Sequence, residues 1–186
     1  SGASITTNGV ITWTPTEAQG PSTNMIATAV SDGVVSVTNS FTVIVTEVNV
    51  APSFVATPAD TNINELTTLT VTNNATDSDL PAQLLSYTLV SAPSGASITT
   101  NGVITWTPTE AQGPSTNVIA TAVSDGVVSV TNSFTVIVTE VNVAPSFVAT
   151  PANVSVPELV LFSVTNNATD SDLPAQGLTY TLVSAP

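Results

Sequence analysis

The sequence predicts an all-β chain of tandem Greek-key β-sandwiches with about seven strands per 93-residue repeat, and three observations carry that expectation. Ser1-Gly2-Ala3-Ser4 recurs at Ser94-Gly95-Ala96-Ser97, so the 186 residues divide into two copies of 93 that differ at 12 positions. A register this clean marks a modular array rather than two domains with divided chemistry. The chain also holds 33 Thr and 28 Val but no Lys or Arg and a single Met. β-branched side chains pack well on a pleated surface and lose rotamer freedom in helices. Finally, Gly, Asn, Asp and Pro punctuate short apolar runs at intervals of roughly 8 to 12 residues, the spacing of a sandwich of about 100 residues.

Taken in order, the first hairpin signal is Asn8-Gly9, flanked by Ser4-Ile5-Thr6 and Val10-Ile11-Thr12-Trp13 and repeated at Asn101-Gly102. A strand over Asn24–Val30 follows, and Ser31-Asp32-Gly33 supplies the positive-φ residue of a tight turn. The next strand, Val34 to Val48, places Val35, Val37, Phe41, Val43 and Val45 on one face, with Ser36, Thr38, Ser40, Thr42 and Thr46 mostly on the other. Its copy runs from Val127 to Val141. Leu66 to Thr72 and Leu85 to Val90 complete the set.

Pro52 and Pro145 each follow a long strand that ends in Glu-Val-Asn-Val, which places a linker there. In that frame residues 1–49 are the C-terminal half of one sandwich, 50–142 a complete one and 143–186 the N-terminal half of the next. A half-sandwich cannot close a core alone. The chain is therefore expected to continue beyond both ends, and residues 1–49 and 143–186 to be completed by neighbouring copies or by swapped halves. Trp13 and Trp106, one per repeat, are expected as core anchors.

With no Lys, Arg, His or Cys, the sequence lacks the imidazole base, the Schiff-base amine, the thiolate and most zinc ligands. Disulfides and Lys-Asn cross-links are excluded as well. Thirteen acidic residues give a net charge of −13, which disfavours nucleic acid and anionic membranes. The apolar runs are far too short for a membrane span, and the positive mean hydropathy argues against disorder. Nothing suggests the cleft that paired carboxylates would need for glycoside hydrolysis, so no catalysis is expected.

The carboxylates of the complete repeat are Glu65, Asp77, Asp79, Glu110, Asp125 and Glu140, with Asp60 on a variable loop. Asp77-Ser78-Asp79 lies in a connecting loop and recurs at Asp170 and Asp172. Without a basic partner, such groups either form a solvated acidic surface that keeps an apolar protein soluble or bind a hard cation such as calcium. Residue chemistry leaves both open. Three glycosylation patterns, at Asn74, Asn153 and Asn167, are weak signals in a chain so rich in Ser and Thr.

The succession of Glu65, Ala75-Thr76-Asp77-Ser78-Asp79, Leu85-Ser86-Tyr87-Thr88-Leu89, Ala122-Val123-Ser124-Asp125-Gly126 and Thr139-Glu140-Val141-Asn142-Val143-Ala144-Pro145 resembles a cadherin-like repeat. Gly95-Ala96-Ser97-Ile98 through Gly102-Val103-Ile104-Thr105-Trp106-Thr107-Pro108-Thr109 is similar to the immunoglobulin-like domains that occur in tandem in large bacterial surface proteins. The cadherin resemblance implies calcium between successive domains. It maps the early-strand Glu to Glu65 and Glu158, the Asp-x-Asp loop to Asp77, Asp79, Asp170 and Asp172, the Asp before a late Gly to Asp32 and Asp125, and the acidic linker to Glu47, Asn49, Glu140 and Asn142. The linker is one residue shorter than the family's Asp-x-Asn-Asp-Asn-x-Pro and no Asp-Arg-Glu occurs in mid-domain, which implies fewer or weaker ions.

The function expected is that of a structural repeat module in an exported bacterial stalk, adhesin or extracellular filament, with calcium stiffening its junctions. A glycan-binding accessory module of a secreted protein is the rival, although one Trp per repeat makes a poor platform. The partners expected are neighbouring copies of the repeat, with self-assembly into fibres through the uncharged Val34–Val45 strand as a further possibility.

Overall fold

The computed structural model of the protein describes residues 2–185. In chain order its strands are β1 (Ser4–Ile5), β2 (Ile11–Thr12), β3 (Ser22–Ser31), β4 (Ser36–Val45), β5 (Ser53–Ala56), β6 (Thr61–Asn64), β7 (Leu69–Thr72), β8 (Asn74–Thr76), β9 (Ser86–Ser91), β10 (Ser97–Ile98), β11 (Val103–Trp106), β12 (Ser115–Ser124), β13 (Ser129–Thr139), β14 (Ser146–Ala149) and β15 (Asn167–Thr169). The only helical pieces among the described residues are single 3₁₀ turns at Glu17–Gln19 and Glu110–Gln112. The chain is all-β, as its Thr and Val content requires. It groups into two compact units: Ser1–Ala56 with Asn74–Tyr87 and Ala122–Thr131, and Thr57–Asn73 with Thr88–Thr121 and Asn132–Pro186.

The second unit holds the core. A three-stranded sheet in the order β10-β11-β7 contributes Leu69, Ile104 and Trp106, and a four-stranded sheet in the order β6-β13-β12-β9 contributes Ile119, Phe134, Val136 and Val138. Two sheets closing on one apolar layer make a β-sandwich. Phe134, Val136 and Val138 alternate with exposed or half-buried neighbours along β13, so the period-two pattern of the sequence sets which face is buried. Trp106 is 1% exposed and its indole N–H donates to the Ser94 carbonyl at 3.2 Å, which satisfies its one polar atom. β6 pairs parallel with β13, from Val136 opposite Thr61 to Thr139 opposite Asn64.

One sequence expectation shifts here. The strand expected over Leu66–Thr72 begins only at Leu69, because Leu66 adopts φ 59° and turns the chain between β6 and β7. The strand on either side of Asn73 is broken at that residue. Its amide donates to Gly102 O at 3.0 Å, its side-chain Nδ2 to Thr121 Oγ1 at 2.6 Å, and its Oδ1 accepts from Asn132 Nδ2 at 3.0 Å. Thr121 in turn donates to Asn132 Oδ1, so this buried polar cluster is fully paired.

The first unit contains the β1–β2 pair, the β3–β4 hairpin and the β5–β8 pair. Gly9 at φ 80° and Gly33 at φ 95° occupy the left-handed turn positions that the Asn8-Gly9 and Asp32-Gly33 signals predict. The long strand starts at Ser36 rather than Val34, because Asp32 Oδ1 accepts the amides of Val34 at 2.9 Å and Val35 at 2.8 Å and holds both in the turn. It ends at Val45 rather than Val48, and its copy β13 runs Ser129–Thr139 rather than Val127–Val141. The faces of β3 and β4 lie open: Phe41 is 44% exposed where its repeat equivalent Phe134 is 4% exposed.

Candidate functional site

Within the second unit, four chain segments bring acidic side chains together at one end of the sandwich. Glu65 follows β6, its amide donating to Thr139 O at 3.0 Å, and its Oε1 accepts from Val141 N at 2.9 Å. The residue is 2% exposed, yet Oε2 has no partner. Glu110 opens a 3₁₀ turn capped by Thr109, whose amide donates to Gln112 Oε1 at 2.9 Å, and its own Oε1 accepts from Leu173 N at 2.9 Å. Glu140 follows β13 and carries a second buried, unpartnered oxygen, Oε1. One carboxylate oxygen from each of Glu65, Glu110 and Glu140 lies within 4.8 Å of the others.

Asp172 is buried beside them, both of its oxygens accepting from Val143 N at 3.1 and 3.0 Å, and Asp170 Oδ1 accepts from Asp172 N at 3.1 Å. Burial pushes the Glu140 carboxyl above its ordinary range, and the charges of Asp172, Glu65, Glu110 and Asp170 push it the same way. Asn142 Oδ1 accepts from Gln176 Nε2 at 3.1 Å.

The first unit repeats the arrangement with Glu17, Glu47 and Asp79. Leu80 N donates to Glu17 Oε1 at 3.0 Å, and Val50 N donates to Asp79 at 3.1 and 3.0 Å. Glu47 Oε1 is buried without a partner. Burial raises its carboxyl, followed by the charges of Glu17 and Asp79. Asp77 Oδ1 accepts from Asp79 N at 3.0 Å, while its Oδ2 is buried and unpartnered.

The structure thus gathers Glu65 with Glu140, and Glu47 with Asp79, as the sequence reading had them, with Asp77, Asp170 and Asp172 alongside. Asp125 and Asn49 take another role. Asp125 Oδ1 accepts from Val127 N and Val128 N, both at 2.7 Å, and its Oδ2 accepts from Asn49 Nδ2 at 2.9 Å, so the pair is bonded to each other and to the β12–β13 turn. These bonds, led by the Val128 amide and then Asn49, hold the Asp125 carboxyl below its ordinary range. Sequence reasoning did not place Glu17 and Glu110 in these clusters. The available signal was Thr-Pro-Thr-Glu-Ala-Gln-Gly, in which Thr and Gln flank the Glu at capping-box spacing and fix it on a rigid turn.

The donor set is all oxygen, and the chain contains no cation to neutralise it. Unpartnered buried oxygens on Glu65 and Glu140 fit a hard divalent cation, which takes carboxylate, carbonyl and water oxygens. Trp106, buried in the core, offers no face for sugar stacking.

Residues 51–139 match the family described as "Putative Ig domain". No curated protein matches the chain in sequence. Among solved structures, mouse protocadherin-24 EC1-3 is similar at 20% identity, with 91% of this chain and 63% of that one covered and a TM-score of 0.48. Human protocadherin-24 EC1-2 is similar at 18% identity over 74% of this chain and 76% of its own, also at 0.48. An endo-fucoidan hydrolase of glycoside hydrolase family 107 is similar at 20% identity over 76% of this chain, with a TM-score of 0.41. The chain spans 22% of the hydrolase's length and 63% of the mouse fragment's. The match at 51–139 falls within one 93-residue repeat, so the chain has the architecture of a tandem Ig-like repeat. No helix among the described residues is long and apolar enough to cross a membrane.

Proposed function

We propose that the protein is a non-catalytic structural module of an exported bacterial stalk, adhesin or filament, and that calcium stiffens the junctions between its repeats. The observation that carries this reading is the pair of buried oxygens, Glu65 Oε2 and Glu140 Oε1, that have no hydrogen-bond donor in a cluster with no cation. A buried carboxylate that lacks a partner is costly, and a structure keeps one when an ion satisfies it. Glu65, Glu110, Glu140 and Asp172 would hold the ion, which supplies positive charge and draws together segments from two successive repeats. Glu17, Glu47 and Asp79 would do the same at the preceding junction. Without calcium the converging charges repel, and the array becomes compliant. Derivation of length from repeated neighbour contacts suits a stalk.

The test is calorimetry and small-angle scattering of the chain in calcium and in chelator. Heat of binding together with a more extended, less variable particle in calcium is expected. Unchanged dimensions with no heat would reject the ion-bridged junction and leave the carboxylates as a solubilising surface.

A further inference from the structure

The chain enters the second unit at Thr57 through β6, and it leaves the sandwich through β13 toward Glu140 and Asn142. These two strands run parallel, with Thr61 opposite Val136 and Asn64 opposite Thr139. In a parallel pair the start of one strand and the end of the other lie at opposite ends of the ladder. Tension on the chain therefore draws β6 backwards from Asp60 and β13 forwards from Glu140, along the strands and in opposite senses. All rungs share that load, and none opens before the others. An antiparallel pair with the same exits would be pulled at one end and would open rung by rung.

The ladder is four residues long, and side chains brace it at both ends. Before it, Asp60 Oδ1 accepts from Thr135 N at 2.6 Å. Beyond it, Glu65 N donates to Thr139 O at 3.0 Å, and Glu65 Oε1 accepts from Val141 N at 2.9 Å. Thr139 Oγ1 donates to Asn64 Oδ1 at 2.7 Å and stands 3.2 Å from Ile63 O. One face of the pair is keyed into the core, where Ile63 packs against the cluster that holds Val136 and Val138. A slip of one residue would turn Ile63 to water and bring an Asn of β6 to the core, so sliding is opposed as well as separation. Ile104, Trp106 and Ile119 lie between the two strands in the chain and bear no tension while the pair holds.

We propose that the β6–β13 pair is a shear clamp, through which the module passes tensile load along the chain without loading its core. The clamp deepens the reading of the protein as a structural module of a stalk or filament, because it gives the module a load-bearing part. It lies within the second unit and does not depend on calcium. Measured in chelator, it can fail separately from the ion-bridged junction.

The chain has no native Cys, so handles for force spectroscopy can be placed at will. In the 186-residue chain, Thr57→Cys with Ala144→Cys pulls the pair in shear. Thr57→Cys with Ser133→Cys pulls both strands at the Asp60 end and unzips the same pair, and all three positions are exposed. At one constant force in chelator, the folded lifetime should be at least about tenfold longer in shear, since several rungs must break together rather than one. Thr139→Val removes the brace at the far end. It should shorten the shear lifetime about fivefold, the loss of one hydrogen bond, and leave the unzipping lifetime unchanged because that bond then breaks last. Near-ultraviolet circular dichroism from Trp106 checks that each variant is folded. Equal lifetimes in the two geometries, or a Thr139→Val effect that is absent or the same in both, would overturn the proposal.

Discussion

Glu65 packs its carboxylate directly on Gly113, so closely that a β-carbon at Gly113 would overlap Oε2 and crowd the rest of the side chain. Gly113 has φ −106°, an ordinary extended value, so it is needed for space and not for backbone freedom. Gly113→Ala is therefore expected to push Glu65 out of its buried seat, at a cost of about 1–3 kcal/mol from overpacking. In thermal denaturation this lowers Tm by several degrees. Gly20→Ala, whose nearest neighbour would be Val45 Cγ1 at 3.3 Å, should cost distinctly less.

The acid clusters give the calcium-free chain an unusual pH profile. Glu47 and Glu140 are raised above the ordinary Glu value near 4.5, so they favour the folded state below that value and lose this contribution as pH rises through their raised values. Asp32 is lowered by the amides of Val35 and Val34, and Asp125 by those of Val128 and Val127 together with Asn49. Their contribution is present above the ordinary Asp value near 3.8 and is lost as pH falls through the lowered values. In chelator, Tm should rise as pH drops from neutral towards 4.5 and fall again below about 3.8. The double variant Glu47→Gln, Glu140→Gln should flatten the rise and leave the acid fall in place.

Asn73 is the polar plug of the core, and removing it strands two partners. Asn73→Ala leaves Thr121 and Asn132 each short of a bond in a site with no exposure at Asn73 or Thr121. The expected loss is about 2–4 kcal/mol, read by chemical denaturation, because an unmet buried group costs more than a surface hydrogen bond contributes. Asn73→Asp should be at least as harmful, since it replaces a donor with a charge that no cation in the chain can meet.

What the sequence made legible was local. Val and Thr alternation set the buried face of β13, and Gly9 and Gly33 marked turns that need a left-handed residue. Repetition of Trp in Ile-Thr-Trp-Thr-Pro pointed to the core, where Trp106 sits. The features that were not legible depend on contacts far along the chain. Leu66 breaks its strand where its amide donates to Pro108 O, and Asn73 breaks the next by reaching Thr121 and Asn132. Glu110 enters the acidic cluster through the amide of Leu173, 63 residues away. No local pattern announces a partner at that distance.

Glu110 and Asp125 separate the two ways of assigning calcium ligands. The cadherin-like mapping selects Asp125, whereas the structure closes that side chain with three short donors, Val127 N and Val128 N on Oδ1 and Asn49 Nδ2 on Oδ2. Glu110 places a carboxylate oxygen within 4.8 Å of those of Glu65 and Glu140, where the unpartnered oxygens are. Affinity for a hard cation follows the number of charged ligands. Glu110→Gln should therefore weaken calcium binding about tenfold or more, comparable with Glu140→Gln, since each removes one charge from the same cluster. Asp125→Asn should leave binding at the Glu47–Asp79 cluster, where the cadherin-like mapping puts it, unchanged and instead lower stability, because Oδ1 keeps its two backbone amides while an amide nitrogen at the other position meets the Asn49 donor. Titration calorimetry and thermal denaturation on the same three variants distinguish these effects. Loss of calcium at the Glu47–Asp79 cluster in Asp125→Asn would restore the cadherin-like assignment of Asp125, and unchanged binding in Glu110→Gln would displace Glu110 from its site.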